Sequence, residues 1–200
     1  DFLSLGAIIT GGLLGDDNIT GTLTIEEGTS DLELLGIAVN NGNLDNIVIT
    51  GSGAPDTNLL ITGALGGFET SINDITFTGF QTIEQDANII GLSVGNISYT
   101  TNDPTAALNT LIDLDKFIVS RGAVGNLLLD AGESNSSVDV AFNFIDADGG
   151  NDSIGTIDII AETITLGHIN ADEIGSISFT GTTEINDEIT ANVFDTIRVD

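Results

Sequence analysis

A phrase of six residues that returns at a regular step constrains this chain more than any other feature. It runs apolar, Gly or Asp, polar, apolar, any residue, apolar, as in Val124-Gly125-Asn126-Leu127-Leu128-Leu129. The phrase recurs as Ile154-Gly155-Thr156-Ile157-Asp158-Ile159, Ile174-Gly175-Ser176-Ile177-Ser178-Phe179 and Phe194-Asp195-Thr196-Ile197-Arg198-Val199, with starts 30, 20 and 20 residues apart. Related copies begin at Leu44, Ile72 and Val94, 28 and 22 residues apart. The triplet apolar-Thr-Gly repeats as well, at Ile9, Ile19, Ile49, Ile61, Phe77 and Phe179. A chain written in copies of one small unit stacks those copies, because a lone copy cannot bury its apolar face.

Between the phrases lie short alternating segments such as Thr22-Leu23-Thr24-Ile25, Leu59-Leu60-Ile61 and Ile164-Thr165-Leu166, bounded by Gly, Asn or Asp. These read as strands with one face inward. A step of about 20 residues holds about three such strands and their turns, one winding of a parallel β-helix. The apolar positions Ile154, Ile157, Ile159, Ile164 and Ile169 are matched one step later by Ile174, Ile177, Phe179, Ile185 and Ile189. The expected fold is therefore all-β, a parallel β-helix (β-solenoid) with about 20–30 residues per rung. A β-sandwich is the alternative, since it too uses many short strands. One segment departs from the pattern: Asp103 as N-cap, Pro104 at the first helical position and the Ala/Leu filling up to Ile112 predict a short helix near 104–112.

Charge excludes several functions. The chain carries 31 acidic residues against three basic ones, a net charge of -28. That surface repels nucleic-acid phosphates and suits divalent cations, salty water or a cationic partner. No Cys is present, so neither a disulfide framework nor a thiolate zinc site is available. No run of 18 apolar residues occurs, so no membrane-spanning helix is expected. The sequence opens on Asp1 without Met, which reads as a processed or excised part of a longer secreted protein, residues 1–200 forming a single elongated β-solenoid module.

Two acidic, glycine-containing stretches are candidate metal sites: Asp146, Asp148 and Asp152 in one, Asp16 and Asp17 in the other. Gly frees the turn so that carbonyls converge, and Asp supplies the hard oxygen ligands that calcium takes. Gly150-Asn151-Asp152-Ser153-Ile154 and Gly15-Asp16-Asp17-Asn18-Ile19 resemble the second half of the calcium-binding nonapeptide of RTX proteins, which implies calcium as cofactor. The repeated strand phrases, poor in Cys and Lys and rich in Thr, Asn, Gly and Asp, resemble those of bacterial surface-layer proteins and large secreted adhesins. That resemblance implies a secreted or cell-surface structural role.

Catalytic signals are few. His168 is the only histidine, and the carboxylate pairs Asp172/Glu173 and Asp187/Glu188 are what a glycoside-cleaving β-helix would use. The leading expectation is a non-enzymatic structural protein that self-assembles through its strand edges. The apolar first strand, with Phe2, Leu3, Leu5, Ile8 and Ile9, and the last phrase, with Ile197 and Val199, are the candidate assembly residues. A glycan- or host-binding module and a polysaccharide-degrading β-helix enzyme are the alternatives. Sequons stand at Asn18, Asn96, Asn135 and Asn151.

Overall fold

A computed structural model describes residues 2–5, 8–10, 19–28, 31–39, 42–67, 70–102, 109–114, 118–120, 123–143, 153–186 and 188–200. The chain winds as a parallel β-solenoid. The first winding holds β1 (Phe2–Leu5), β2 (Ile8–Thr10) and β3 (Ile19–Glu26), and the second β4 (Asp31–Leu34), β5 (Ile37–Val39) and β6 (Gly42–Thr50). Then follow β7 (Asn58–Ile61), β8 (Leu65–Gly66), β9 (Thr70–Phe80), β10 (Thr82–Gln85), β11 (Ile89–Gly91) and β12 (Ser93–Thr101). The last windings hold β13 (Thr110–Leu114), β14 (Ile118–Ser120), β15 (Val124–Asp130), β16 (Ser136–Asn143), β17 (Ser153–Ile185) and β18 (Ile189–Val199). β1, β4, β7, β10, β13 and β16 pair in that order on one face; β2, β5, β8, β11 and β14 on a second; β3, β6, β9, β12 and β15 on a third. The long β17 bends between faces, pairing with β15 through Ile154–Ile160 and with β16 through Thr163–Asn170. The pairings are parallel, which excludes the sandwich alternative.

The repeated phrase sets the register. On the third face Ile25, Ile49, Phe77, Tyr99, Leu129 and Ile159 lie on one another in a column, and Phe179 carries Val199 in the same way. The column beside it runs Leu23, Ile47, Ile75, Ile97, Leu127, Ile157. Inward residues from Ile47 to Phe179 are at most 1% exposed along these two columns. Burying each such side chain is worth about 1.5–3 kcal/mol. The first face stacks Leu32, Leu59, Ile83, Ile112, Val138 and Ile164 in the same manner, with Leu3 in backbone register with Leu32.

The phrase's glycine has a steric cause. A Cβ on Gly155 would lie 2.3 Å from the Gly125 carbonyl oxygen, and one on Gly125 would lie 2.5 Å from that of Gly95. Here adjacent windings approach too closely for any side chain.

Three expectations need correction. Thr110, Leu111 and Ile112, assigned to the end of a helix near 104–112, belong to β13; residues 103–108 lie outside the described set. Thr110, Ile112 and Leu114 are buried and alternate with half-buried Leu111 and Asp113, so stacking on β10 and β16 overrides local helix preference. The apolar first strand is not one strand. β1 and β2 lie in different sheets, as β4 and β5 do one winding later across Leu35 and Gly36. Finally, Ile185 does not follow Ile164. The Asn186 amide donates to the Leu166 carbonyl at 2.8 Å, as the Asp200 amide donates to Phe179 one place beyond its partner Val199. That pattern sets Ile185 on Leu166.

Candidate assembly surface and polar features of the solenoid

At the C-terminal end of the stack, β18 pairs with β17 from Ile169↔Ile189 to Phe179↔Val199 and, among the described residues, pairs on that one side. Its inward positions are those of the winding beneath. Ile177 and Phe179 are 0% and 1% exposed, whereas Ile197 and Val199, directly above them, are 56% and 64% exposed. Ile197 repeats the residue type and register of Ile177, and among the described residues no further winding rests on it. Ile189, Ala191 and Phe194 pack against the core from the same strand and are half-buried.

At the other end, β1, β2 and β3 each pair, among the described residues, with one neighbour: β4, β5 and β6. Ile25 is 8% exposed where its successors Ile49 and Phe77 are fully buried. Of the residues expected to drive assembly, Leu3 and Leu5 stand in register with Leu32 and Leu34, Phe2 with Asp31, and Ile8 and Ile9 with Ile37 and Ala38. Sequence patterning thus brought both sets of candidate residues to the two ends of one stack.

A polar ladder, not anticipated from sequence, runs down the outside of the third face at the phrase's third position. Asn46 Nδ2 donates to Thr22 Oγ1 at 3.1 Å, and Asn96 Nδ2 to Asp74 Oδ1 at 2.7 Å. Asn126 Nδ2 donates to Asn96 Oδ1 at 2.8 Å, and Thr156 Oγ1 to Asn126 Oδ1 at 2.7 Å. The signal was present: this position is polar in every copy of the phrase. Both polar ends of the Asn96 amide of that sequon are engaged in the ladder. Asn135 sits exposed in a corner turn with φ 51°. Asn18 and Asn151 lie outside the described residues.

A polar pair lies within the core. Gln85 replaces an apolar residue in the column Leu34, Ile61, Gln85, Leu114, Val140 and is 2% exposed. Its Nε2 donates to the Ala87 carbonyl at 2.8 Å, and its Oε1 accepts from the Tyr99 hydroxyl at 2.6 Å. Tyr99 stacks on Phe77 with ring centroids 4.7 Å apart. Burial pushes the Tyr99 phenol well above the usual tyrosine range, and the bond to Gln85 offsets only part of that rise.

The candidate calcium ligands Asp16, Asp17, Asp146, Asp148 and Asp152 lie outside the described residues. Among the described residues no group of three or more His, Asp or Glu is arranged to hold a metal. Asp172 accepts from Asn192 Nδ2 at 2.9 Å beside exposed Glu173, in a shallow cleft with Val193. Asp187 lies outside the described residues, and Glu188 is exposed at the entry to β18. His168 falls within β17. No helix among the described residues is long and apolar enough to cross a membrane. No family model, curated protein or solved structure matches the chain.

Proposed function

We propose that this chain is a non-enzymatic structural module of a secreted or cell-surface scaffold, whether surface layer, adhesin stalk or filament. It assembles through the strand edges at its two ends, and calcium stabilises the acidic product. One observation carries the reading. Ile197 and Val199 point along the core columns and yet are more than half exposed, where Ile177 and Phe179 beneath them are buried. Inward-facing apolar residues left open at a sheet edge are a template for another strand. The stacked windings supply the stiffness that a scaffold needs, and the net charge of -28 gives divalent ions a role in screening repulsion between copies.

Sedimentation velocity over a wide concentration range, with negative-stain imaging of the same samples, tests the assembly. Linear particles that lengthen with concentration are expected, and a monomer at every concentration overturns the reading. For calcium, the melting temperature and particle length are compared in calcium and in chelator. Higher values in calcium are expected, and identical behaviour removes the ion from the account.

A further inference from the structure

We infer that Asn135 is the acceptor for an N-linked oligosaccharide, presented on a corner turn together with Glu133 and Ser137. The inference rests on the secreted or cell-surface location proposed above, because such sugars are added to surface turns of exported chains.

The turn joins the third face to the first, between β15 and β16, and its tip is Glu133, Ser134 and Asn135, three exposed residues in a row. Its base is fixed. The Gly132 amide donates to Asp130 Oδ1 at 3.0 Å, Thr110 Oγ1 to the Ala131 carbonyl at 2.6 Å, and Ser136 Oγ to the Gly132 carbonyl. Gly132 and Asn135 hold φ at 87° and 51°, so the chain turns sharply at both ends of the tip.

An earlier corner shows which of these residues the turn itself requires. Asp56 also has a positive φ, 63°, and its amide donates to Gln81 Oε1 at 2.8 Å. The Asn135 amide likewise donates to Glu162 Oε2, at 2.6 Å. The next residue in each corner, Thr57 or Ser136, returns its hydroxyl to a carbonyl of its own turn. The corner therefore asks for Asp or Asn followed by a hydroxyl. It does not ask for the rest of the sequon: Asn58 stands where Ser137 does, and Ala54 where Glu133 does.

Those two extra residues are the ones that transfer chemistry uses. Asn135 Nδ2 attacks the anomeric carbon of a polyprenyl-pyrophosphate-linked oligosaccharide. A C–N bond forms, the C–O bond to the pyrophosphate breaks and leaves with its electron pair, and the amide gives up one proton. An amide nitrogen is a weak nucleophile, so the transferase must grip the segment on both sides of it. Ser137, half-buried between buried Ser136 and Val138, offers a hydroxyl two places after the asparagine. Glu133 offers a carboxylate two places before it, for a cationic group of the transferase. Asn96, the other sequon asparagine among the described residues, lies inside β12, which is paired on both sides. Reaching it means opening strand pairings, whereas the tip at Asn135 is already exposed.

The test uses the full chain with Asn18→Gln and Asn151→Gln, which leaves Asn96 and Asn135 as its sequons. Folded protein is incubated with a purified oligosaccharyltransferase that reads an acid two places before the asparagine, and with its polyprenyl-pyrophosphate oligosaccharide. Intact mass and peptide mapping should show one oligosaccharide per chain, at Asn135. Transfer should vanish in Asn135→Asp, a residue that the corner at Asp56 already accepts, and in Ser137→Ala. In Glu133→Gln it should slow about tenfold, the loss of one charge-assisted contact. Sugar at Asn96, no transfer, transfer only after denaturation, or full-rate transfer to Ser137→Ala overturns the inference. Fractionation of the source cells separates it from the reading beneath it. A chain outside the cell without sugar at Asn135 overturns the inference alone, whereas a chain confined to the cytosol overturns the scaffold reading and the inference with it.

Discussion

Gln85 is one of the residues at which this core departs from uniform apolar stacking, and its partners make the departure stable. Replacing it with Leu fills the column but strands the buried Tyr99 hydroxyl, a loss of about 1–3 kcal/mol. Adding Tyr99→Phe removes the orphaned donor, so the double variant should recover most of that loss; urea denaturation of the four proteins in the cycle measures it. Tyr99 gives a second test, since it is the only tyrosine and there is no tryptophan. Its phenol is held above its unfolded value by burial, so the native state keeps the proton that the unfolded chain releases. Stability is therefore fully present below about pH 10 and falls as the pH rises further. Tyrosinate absorbance should grow together with loss of the β-sheet circular dichroism signal; an increase at about pH 10 with the fold intact would contradict the burial. The inward place of Tyr99 was legible from the phrase that begins at Val94, whereas Gln85 was not, because an amide in a strand looks like an exposed position until the windings are aligned.

At the level of the strand, the six-residue phrase was the most legible feature, and its copies from Leu44 to Phe194 fall in register as their spacing required. It was legible because each position has a separate physical duty: inward columns, close backbone approach, and a ladder on the outside. Local helix propensity misled at Thr110–Ile112, where Ala and Leu in the preceding residues said nothing about what lies above and below. Gly155→Ala should cost about 1–3 kcal/mol through overpacking against the winding below, whereas Gly28→Ala, with nothing within 4 Å of the added Cβ, should be close to neutral. Paired thermal melts check the contrast. In the ladder, Asn96→Asp removes the donor to Asp74 and sets two carboxylates side by side. It should destabilise by about 1 kcal/mol at neutral pH, and the difference should shrink as the pH falls through the carboxylate range.

Across the molecule, a net charge of -28 on 200 residues opposes compactness, and the continuous core must outweigh it. Added monovalent salt should raise the melting temperature by a few degrees, roughly 2–4 °C per kcal/mol of repulsion screened; a flat salt profile by calorimetry would show that the charges are already neutralised. The candidate ends were legible as apolar terminal phrases. What the sequence could not give was their exposure, because Ile197 and Ile177 are the same residue in the same phrase and differ only in what rests on them. The bend within β17 has its own consequence. From Ile154 to Phe194 the chain repeats every 20 residues with strand running almost unbroken, so excising 154–173 would set Ile174 where Ile154 had been, above Val124. Such a shortened protein should fold cooperatively with one storey fewer, and duplicating the same stretch should add one, making the height of this molecule a quantity that could be adjusted in whole units without redesigning any contact.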